Sequence, residues 1–271
     1  MPSYLVKAVF FCQIRENHML KRQKKIVATC CAVAVLVSCA TSTEINQQSE
    51  SQYAQVLAQA RQKGILDTSS TTSKRVHKIF HVMQPYAEQE NNTGTKFNWQ
   101  IAVVRSNDLN AWAMPGGKMM FYTGLVDKLS LSDDEIATVM GHEMAHALKE
   151  HGKSSRNLGV FTSVLGAAVE IGAGAALGVD LQGLGSETVD LITNKPYSRS
   201  NETEADEIGL MLMAKSGYNP QAAPKLWQKM QAQGGSSKVA SLFSTHPSDA
   251  ARQANLQRLL PEAMKVYNAR K

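Results

Sequence analysis

Cysteine is missing from most of this 271-residue chain: Cys12, Cys30, Cys31 and Cys39 are the only four, and nothing after Cys39 adds to them. That excludes a disulfide framework or a cysteine-built zinc knuckle downstream, so a metal there must be held by histidine and carboxylate. Net basic charge is scarce in the same region. The formal charge is +6, but residues 1–38 hold six bases and one acid, which leaves +1 for the remainder. A nearly neutral body has no broad footprint for phosphate backbones, so nucleic acid is not an expected partner. Repeats of 20–50 residues are absent, which excludes a solenoid module. What remains, 43% apolar and 19% charged with 6% aromatic, suits one well-buried domain and is too balanced for a disordered, collagenous or multi-span membrane chain.

The first residues read as an address. From Met19 the chain runs Lys21, Arg22, Lys24 and Lys25, then an apolar stretch over 26–37, then Ser38-Cys39. This is the three-part order of an export signal, and twelve apolar-leaning residues are too few to span a bilayer. Leu36-Val37-Ser38-Cys39 resembles a bacterial lipobox, whose cysteine is diacylated and becomes the new N-terminus. The expectation is an export signal over 1–38 with its true start at Met19, a lipidated polar tether over 39–51, and a domain over 52–271. An ordinary cleaved signal and a short uncleaved anchor are the alternatives. With no Asp after Cys39, lipoprotein resemblance implies outer-membrane sorting in a Gram-negative cell, with the body facing the periplasm.

Within the body, 52–62 and 74–88 read as helices, the second carrying Val76, Ile79, Phe80 and Met83 on one face. Residues 99–104, 111–114 and 118–122, with Pro115-Gly116-Gly117 as a turn, predict a small antiparallel sheet. Ser132 with Glu135 three residues on is a capping box, opening a helix to about His151. Gly217 with Pro220 closes a later helix, and Pro224, Gly234, Pro247 and Pro261 divide the rest into short helices. The Gly- and Ala-rich stretch 159–178 is long enough to cross a membrane, yet its five glycines and Glu170 favour a mobile apolar hairpin.

The chemistry sits in the capped helix, as His142-Glu143-Met144-Ala145-His146. Side chains four apart stack on one helix face, so both imidazoles reach one ion, while Glu143, about 100° around, can hold a water at that ion. A catalytic zinc needs a third protein ligand. Downstream, Glu202 and Asp206 are again four apart, which lets Glu202 ligate while Asp206 takes the other ring N–H of a ligating histidine. An acidic helix opening that only compensates the dipole is the plainer reading of that pair. His77 and His81 share the spacing without a carboxylate and read as a half-exposed face. His151 lies too far around a continuing helix to share the ion.

Taken in order, Asn110-Ala111-Trp112-Ala113-Met114-Pro115-Gly116-Gly117, Thr123-Gly124-Leu125, Gly141 to His146, Ser198-Arg199 with Glu202 and Ala205-Asp206, and Ser244-Thr245-His246-Pro247 followed by Arg252 resemble the HtpX, BepA and LoiP type of zinc metallopeptidases. These are bacterial relatives of the CAAX prenyl endopeptidase and the mitochondrial Oma protease. The resemblance implies a mostly helical α+β, minigluzincin-like body with a small sheet. It implies one zinc held by His142, His146 and Glu202, with Glu143 as general base and Asp206 behind His142. It also implies that Asn110, Ala111, Trp112, Ala113 and Met114 form an edge strand to which an extended substrate adds through main-chain bonds; Trp112 and Met114 as core is the alternative. His246 is expected either to stabilise the oxyanion or to occupy the open metal position as a fourth ligand, with a plain helix cap as the other reading. Tyr197 and Arg252 are weaker oxyanion candidates. Neither the transmembrane helices of HtpX nor the repeat domain of BepA is visible.

The expected function is a lipid-anchored zinc endopeptidase that hydrolyses unfolded or misassembled envelope proteins by Glu-assisted attack of water activated at the metal. A zinc-stabilised chaperone or assembly factor is the rival, and the presence of Glu143, which a pure binder does not need, favours catalysis.

Overall fold

The computed structural model describes residues 41–154, 197–232, 246 and 250–270. Helix α1 (Ser42–Gln62) begins ten residues before its expected start, so most of the stretch read as a polar tether is helical. The cause is local: Thr41 accepts from the Glu44 N–H while the Glu44 side chain accepts from the Thr41 N–H, a complete capping box in what reads as a polar string. Ile45, Ser49, Tyr53, Val56 and Ala60 are the buried stripe of this helix. Helix α2 (Thr71–Gln89) follows, capped by Ser70 and buried along Val76, Ile79, Phe80 and Met83 as its periodicity predicts.

Strands β1 (Gln100–Val104), β2 (Ala111–Met114) and β3 (Lys118–Tyr122) form one sheet in the order β1-β3-β2. The sheet is mixed and not antiparallel throughout: β3 pairs antiparallel with β2 but parallel with β1. A small antiparallel sheet was expected. Instead residues 105–110 carry the chain past the width of one strand, and the β2–β3 hairpin folds β3 back into the gap. The hairpin turn closes through a Gly117 N–H to Met114 carbonyl bond, with Pro115 and then Gly116 at φ +76, the arrangement of a type II turn. A Cβ on Gly117 would lie 2.4 Å from the Trp99 ring, so no other residue fits there.

Alternation along the strands divides the core. Ala102, Val104, Trp112, Met114, Met120 and Tyr122 pack with Tyr53, Val56 and Ala60 of α1. Val103, Ala111, Ala113, Met119 and Phe121 face the larger core with α2 and the helices that follow. Each fully buried aliphatic or Phe side chain contributes about 1.5–3 kcal/mol, so the sheet is held from both faces.

Beyond the sheet lie α3 (Thr123–Lys128), α4 (Asp133–Leu148), α5 (His151–Ser154), α6 (Arg199–Lys215), α7 (Ala222–Ala232) and α8 (Ala250–Asn268). Ser132 and Glu135 form the expected capping box at the start of α4. This helix stops at Leu148, short of His151, because Lys149 caps it and Glu150 takes the left-handed conformation at φ +50. Gly217, at φ +84, ends α6 as expected. Pro261 does not end a helix; α8 runs through it, with Leu256 and Ala263 buried on either side. Pro224 falls in the first turn of α7, where a missing N–H is harmless. No helix among the described residues is long and apolar enough to cross a membrane, and the 159–178 stretch lies outside them.

Candidate metal centre

Helix α4 is buried on nearly every side from Ile136 to Leu148, so its histidines stand in the interior and not on a surface face. Helix α6 crosses it with unusual intimacy. A Cβ on Gly141 would lie 2.6 Å from the Gly209 carbonyl oxygen, and one on Gly209 would lie 2.7 Å from the His142 nitrogen. Only two glycines let the backbones touch there. Glu202 and Asp206 share the buried stripe of α6 with Gly209, so the same contact delivers both carboxylates to the histidines of α4.

The result is a buried cluster. His142 Nε2 is 3.0 Å from His146 Nε2 and 3.4 Å from Glu202 Oε2, while His146 Nε2 is 3.3 Å from Glu202 Oε1. His246 completes it, with Nδ1 3.2 Å from His142 Nε2 and 3.0 Å from Glu202 Oε1. One ligand atom from each of these four residues lies within 4.8 Å of all the others, and each residue is buried. Zinc bonds of about 2.0–2.2 Å to nitrogen and oxygen place tetrahedral ligands about 3.3–3.6 Å apart, and the spacings of 3.0–3.4 Å are within a few tenths of an ångström of that. Three imidazoles and one carboxylate are also the donor types zinc takes. Of the residues singled out from sequence, His142, His146, Glu202 and His246 come together here. Ser244, Thr245 and Pro247 lie outside the described residues.

Each ligand is supported from behind. Asp206 Oδ1 lies 3.0 Å from His142 Nδ1. Arg252, a weak oxyanion candidate by sequence, is turned away from that role. Its Nε and Nη2 donate to the two oxygens of Asp206 at 2.7 and 2.8 Å, its Nη1 sits 2.7 Å from Glu202 Oε2, and the guanidinium stacks 4.1 Å over Trp227. On the other side His146 Nδ1 is 2.9 Å from His151 Nδ1, and His151 Nε2 is 3.0 Å from Glu204 Oε2. Neither His151 nor Glu204 was expected near the site. The early stop of α4 folds His151 back onto the ring that a continuing helix would carry it away from. Tyr197 stacks on His146 with centroids 4.0 Å apart.

Burial and charge pull the titrating groups apart. Burial alone would lower His142; hydrogen bonding to Asp206 and Glu202 outweighs it and lifts the ring to about 10. His146 is lowered well below the ordinary imidazole value, by burial first and by the charge of its neighbours. Burial would raise Glu202, but His246 and His142 hold it far below the carboxylate range. Asp206 is likewise held low against its burial by Arg252 and His142. Glu143 goes the other way, raised by burial, although it accepts the Ala113 N–H. Its Oε1 stands 3.4 Å from His246 Nε2.

That Ala113 bond locates the sheet. Among the described residues β2 is an edge strand, with β3 on one side only. Tyr122 N–H donates to the Asn110 carbonyl, so by the two-residue alternation of an antiparallel ladder Ala111 and Ala113 turn their main-chain groups away from β3. The free edge therefore faces α4 beside Glu143. Its side chains are not exposed, contrary to an open rim: Asn110, Ala111, Trp112, Ala113 and Met114 are all buried. Trp112 and Met114 are core residues against α1, with Trp112 Nε1 donating to the Tyr122 hydroxyl at 3.2 Å.

A family model described as Peptidase family M48 matches residues 70–260. The chain belongs to that family. Among curated M48-like relatives, bovine mitochondrial metalloendopeptidase OMA1 is 35% identical over 184 residues, covering 64% of this chain and 34% of its own length. Metalloprotease YcaL of Escherichia coli is 28% identical over 193 residues, covering 71% of this chain and 72% of its own. Metalloprotease LoiP of the same organism is 28% identical over 167 residues, covering 62% and 64%. The chain thus spans about a third of the bovine protein it matches.

Proposed function

We propose that this M48 chain is a zinc-dependent endopeptidase that hydrolyses unfolded or misassembled polypeptides of the cell envelope. The observation that carries the reading is the convergence of His142 Nε2, His146 Nε2 and Glu202 at zinc-ligand spacing, with a buried carboxylate, Glu143, one turn-position away on the same helix. Zinc, when bound by these residues, supplies Lewis acidity and a water of much lowered pKa.

Glu143 acts as general base. It takes a proton from the attacking water as the oxygen bonds to the scissile carbonyl carbon, then hands that proton to the leaving amide nitrogen as the C–N bond breaks. Its raised proton affinity, caused by burial, suits a group that must both accept and release. The outer edge of β2 lies on the same side, so an extended substrate that adds beside Ala111 reaches Glu143 through main-chain bonds with little demand on sequence. An apolar cavity lined by Val139, Leu210, Leu226, Trp227 and Met230 opens beside His142 and Glu143 and suits an apolar substrate side chain. His246 fits the fourth-ligand alternative, since its Nδ1 lies 3.2 Å from His142 Nε2 and 3.0 Å from Glu202 Oε1 and it would help hold the zinc.

Metal content and casein cleavage, with and without chelator, test the reading. Wild type should hold one zinc and lose cleavage when it is removed. Glu143→Gln should keep the zinc and lose cleavage at least ~100-fold, the contribution of a positioned acid–base group. Cleavage at the wild-type rate in that variant would sink the mechanism, whereas a zinc-loaded wild type that cuts nothing would leave the chaperone reading standing. Envelope location and the membrane anchor rest on the leader and Cys39; radiolabelled palmitate should enter the wild-type chain and not Cys39→Ala.

A further inference from the structure

Zinc binding by His146 through Nε2 requires that nitrogen to present a lone pair, so the ring proton must sit on Nδ1. The atom 2.9 Å from that Nδ1 is the Nδ1 of His151. Two N–H groups cannot face each other at this distance, so His151 Nδ1 must be bare and must accept. A neutral His151 then carries its proton on Nε2, and that nitrogen is 3.0 Å from Glu204 Oε2, an acceptor. The three groups thus admit one consistent arrangement: His146 Nδ1–H donates to His151 Nδ1, and His151 Nε2–H donates to Glu204. The far end is pinned as well, since Lys149 Nζ stands 2.7 Å from Glu204 Oε1. His151 is only 3% exposed and has little room to turn its ring over.

We propose that His151, oriented by Glu204, is a positioning residue that sets the tautomer of His146 and thereby the affinity of the centre for zinc. An imidazole in this place is unusual, because an outer partner of a metal-bound histidine is commonly a carboxylate or a backbone carbonyl. Only a bare Nδ1 accepts here, so Glu204 determines the behaviour of a ligand it does not touch. The inference rests on the zinc site proposed above.

Zinc affinity of the full chain, read by competition with a chromogenic chelator, is the test. Loss of an outer partner typically weakens metal binding 10–100-fold, and His151→Ala should fall in that range. His151→Gln, whose side-chain carbonyl can accept from His146 Nδ1–H, should recover most of it. Glu204→Ala should weaken binding less, and should add nothing once His151 is already Ala. Additive losses, or no recovery by Gln, would reduce His151 to a packing residue and overturn the proposal. Nitrogen-15 spectra of histidine-labelled zinc protein give a second readout: His146 should be protonated at Nδ1 and His151 at Nε2, and a proton on His151 Nδ1 would overturn it too. A wild-type chain that takes up no zinc would break the metal-site reading itself, whereas a zinc-loaded wild type matched by His151→Ala would break only the relay.

Discussion

Behind His142 stands Asp206, gripped through two bonds by Arg252, which also reaches Glu202, and every member of this group is 7% exposed or less. Behind His146 stands His151, and behind that Glu204, whose side chain is 41% exposed and meets Lys149 at the surface. One backing is a sealed charge network; the other is a chain of hydrogen bonds that ends in solvent. The difference teaches where the site is bound to the fold. On the sealed side no water can replace a missing partner, so metal geometry and global stability depend on the same contacts. On the open side solvent can substitute at the last link, and only the orientation of one ring is at stake.

Arg252 gives the sharpest way to break the comparison. Arg252→Met strands two buried carboxylates and should cost about 3–5 kcal/mol in urea unfolding of the zinc protein. Lys149→Met removes the corresponding cation of the open side, whose pair with Glu204 is more than two-fifths exposed, and should stay within about 1 kcal/mol. Equal losses would abolish the distinction between sealed and open backings. Gly209→Ala should come next. A new Cβ 2.7 Å from the His142 nitrogen forces α6 away from α4, at about 1–3 kcal/mol, and weakens zinc binding because Glu202 moves with its helix. Unchanged unfolding and zinc affinity in that variant would mean that the helix crossing does not set the ligand spacing.

A last effect, as small as that expected of Lys149→Met, belongs to neither backing and serves as a reference. Asp67 accepts from the Ser69 and Ser70 N–H groups ahead of α2. Burial would raise its carboxyl; bonds from Ser70 and Ser69 and the charge of Arg105 outweigh burial and hold it low. A carboxyl lowered on folding stabilises fully above its unfolded value of about 3.9, and that stabilisation is lost as pH falls through the folded value. Asp67→Asn should therefore unfold about 1 kcal/mol more easily at pH 7, and the gap should narrow as pH falls below about 4. A gap of constant size down to pH 3 would assign the effect to shape and not to charge.

Much of the centre is legible in the letters because the helix repeat is short. Four residues make one turn, so His142 with His146 and Glu202 with Asp206 announce shared faces before any fold is known. The caps at Ser132 and Ser198 and the stop at Gly217 are equally local. The helix opening at Thr41 was legible too, since Glu44 stands at the capping-box distance, but the polar string around it reads as tether. His151 was misjudged for a local reason as well: extending α4 by three residues rotates it away, whereas a left-handed Glu150 brings it back.

Other features lie beyond any window. The parallel pairing of β3 with β1 depends on which gap the hairpin enters, and strand alternation is the same for either neighbour. Arg252 reads as an oxyanion candidate until α8 lays it against Asp206, 46 positions away in the chain. Gly141 and Gly209 look like weaknesses in two helices, and only the crossing gives them a purpose.

What the sequence by itself determined is the set of chemical groups and their grouping into pairs along helices, because covalent spacing and the 3.6-residue turn act without help from distant chain. The convergence of those pairs on one point, and the different backing each histidine receives, were decided by the tertiary structure. The reason is physical: distances of about 3 Å between residues 60 and 104 positions apart arise only when α4 and α6 pack closely and His246 joins them, where a buried polar atom left unpaired would be costly.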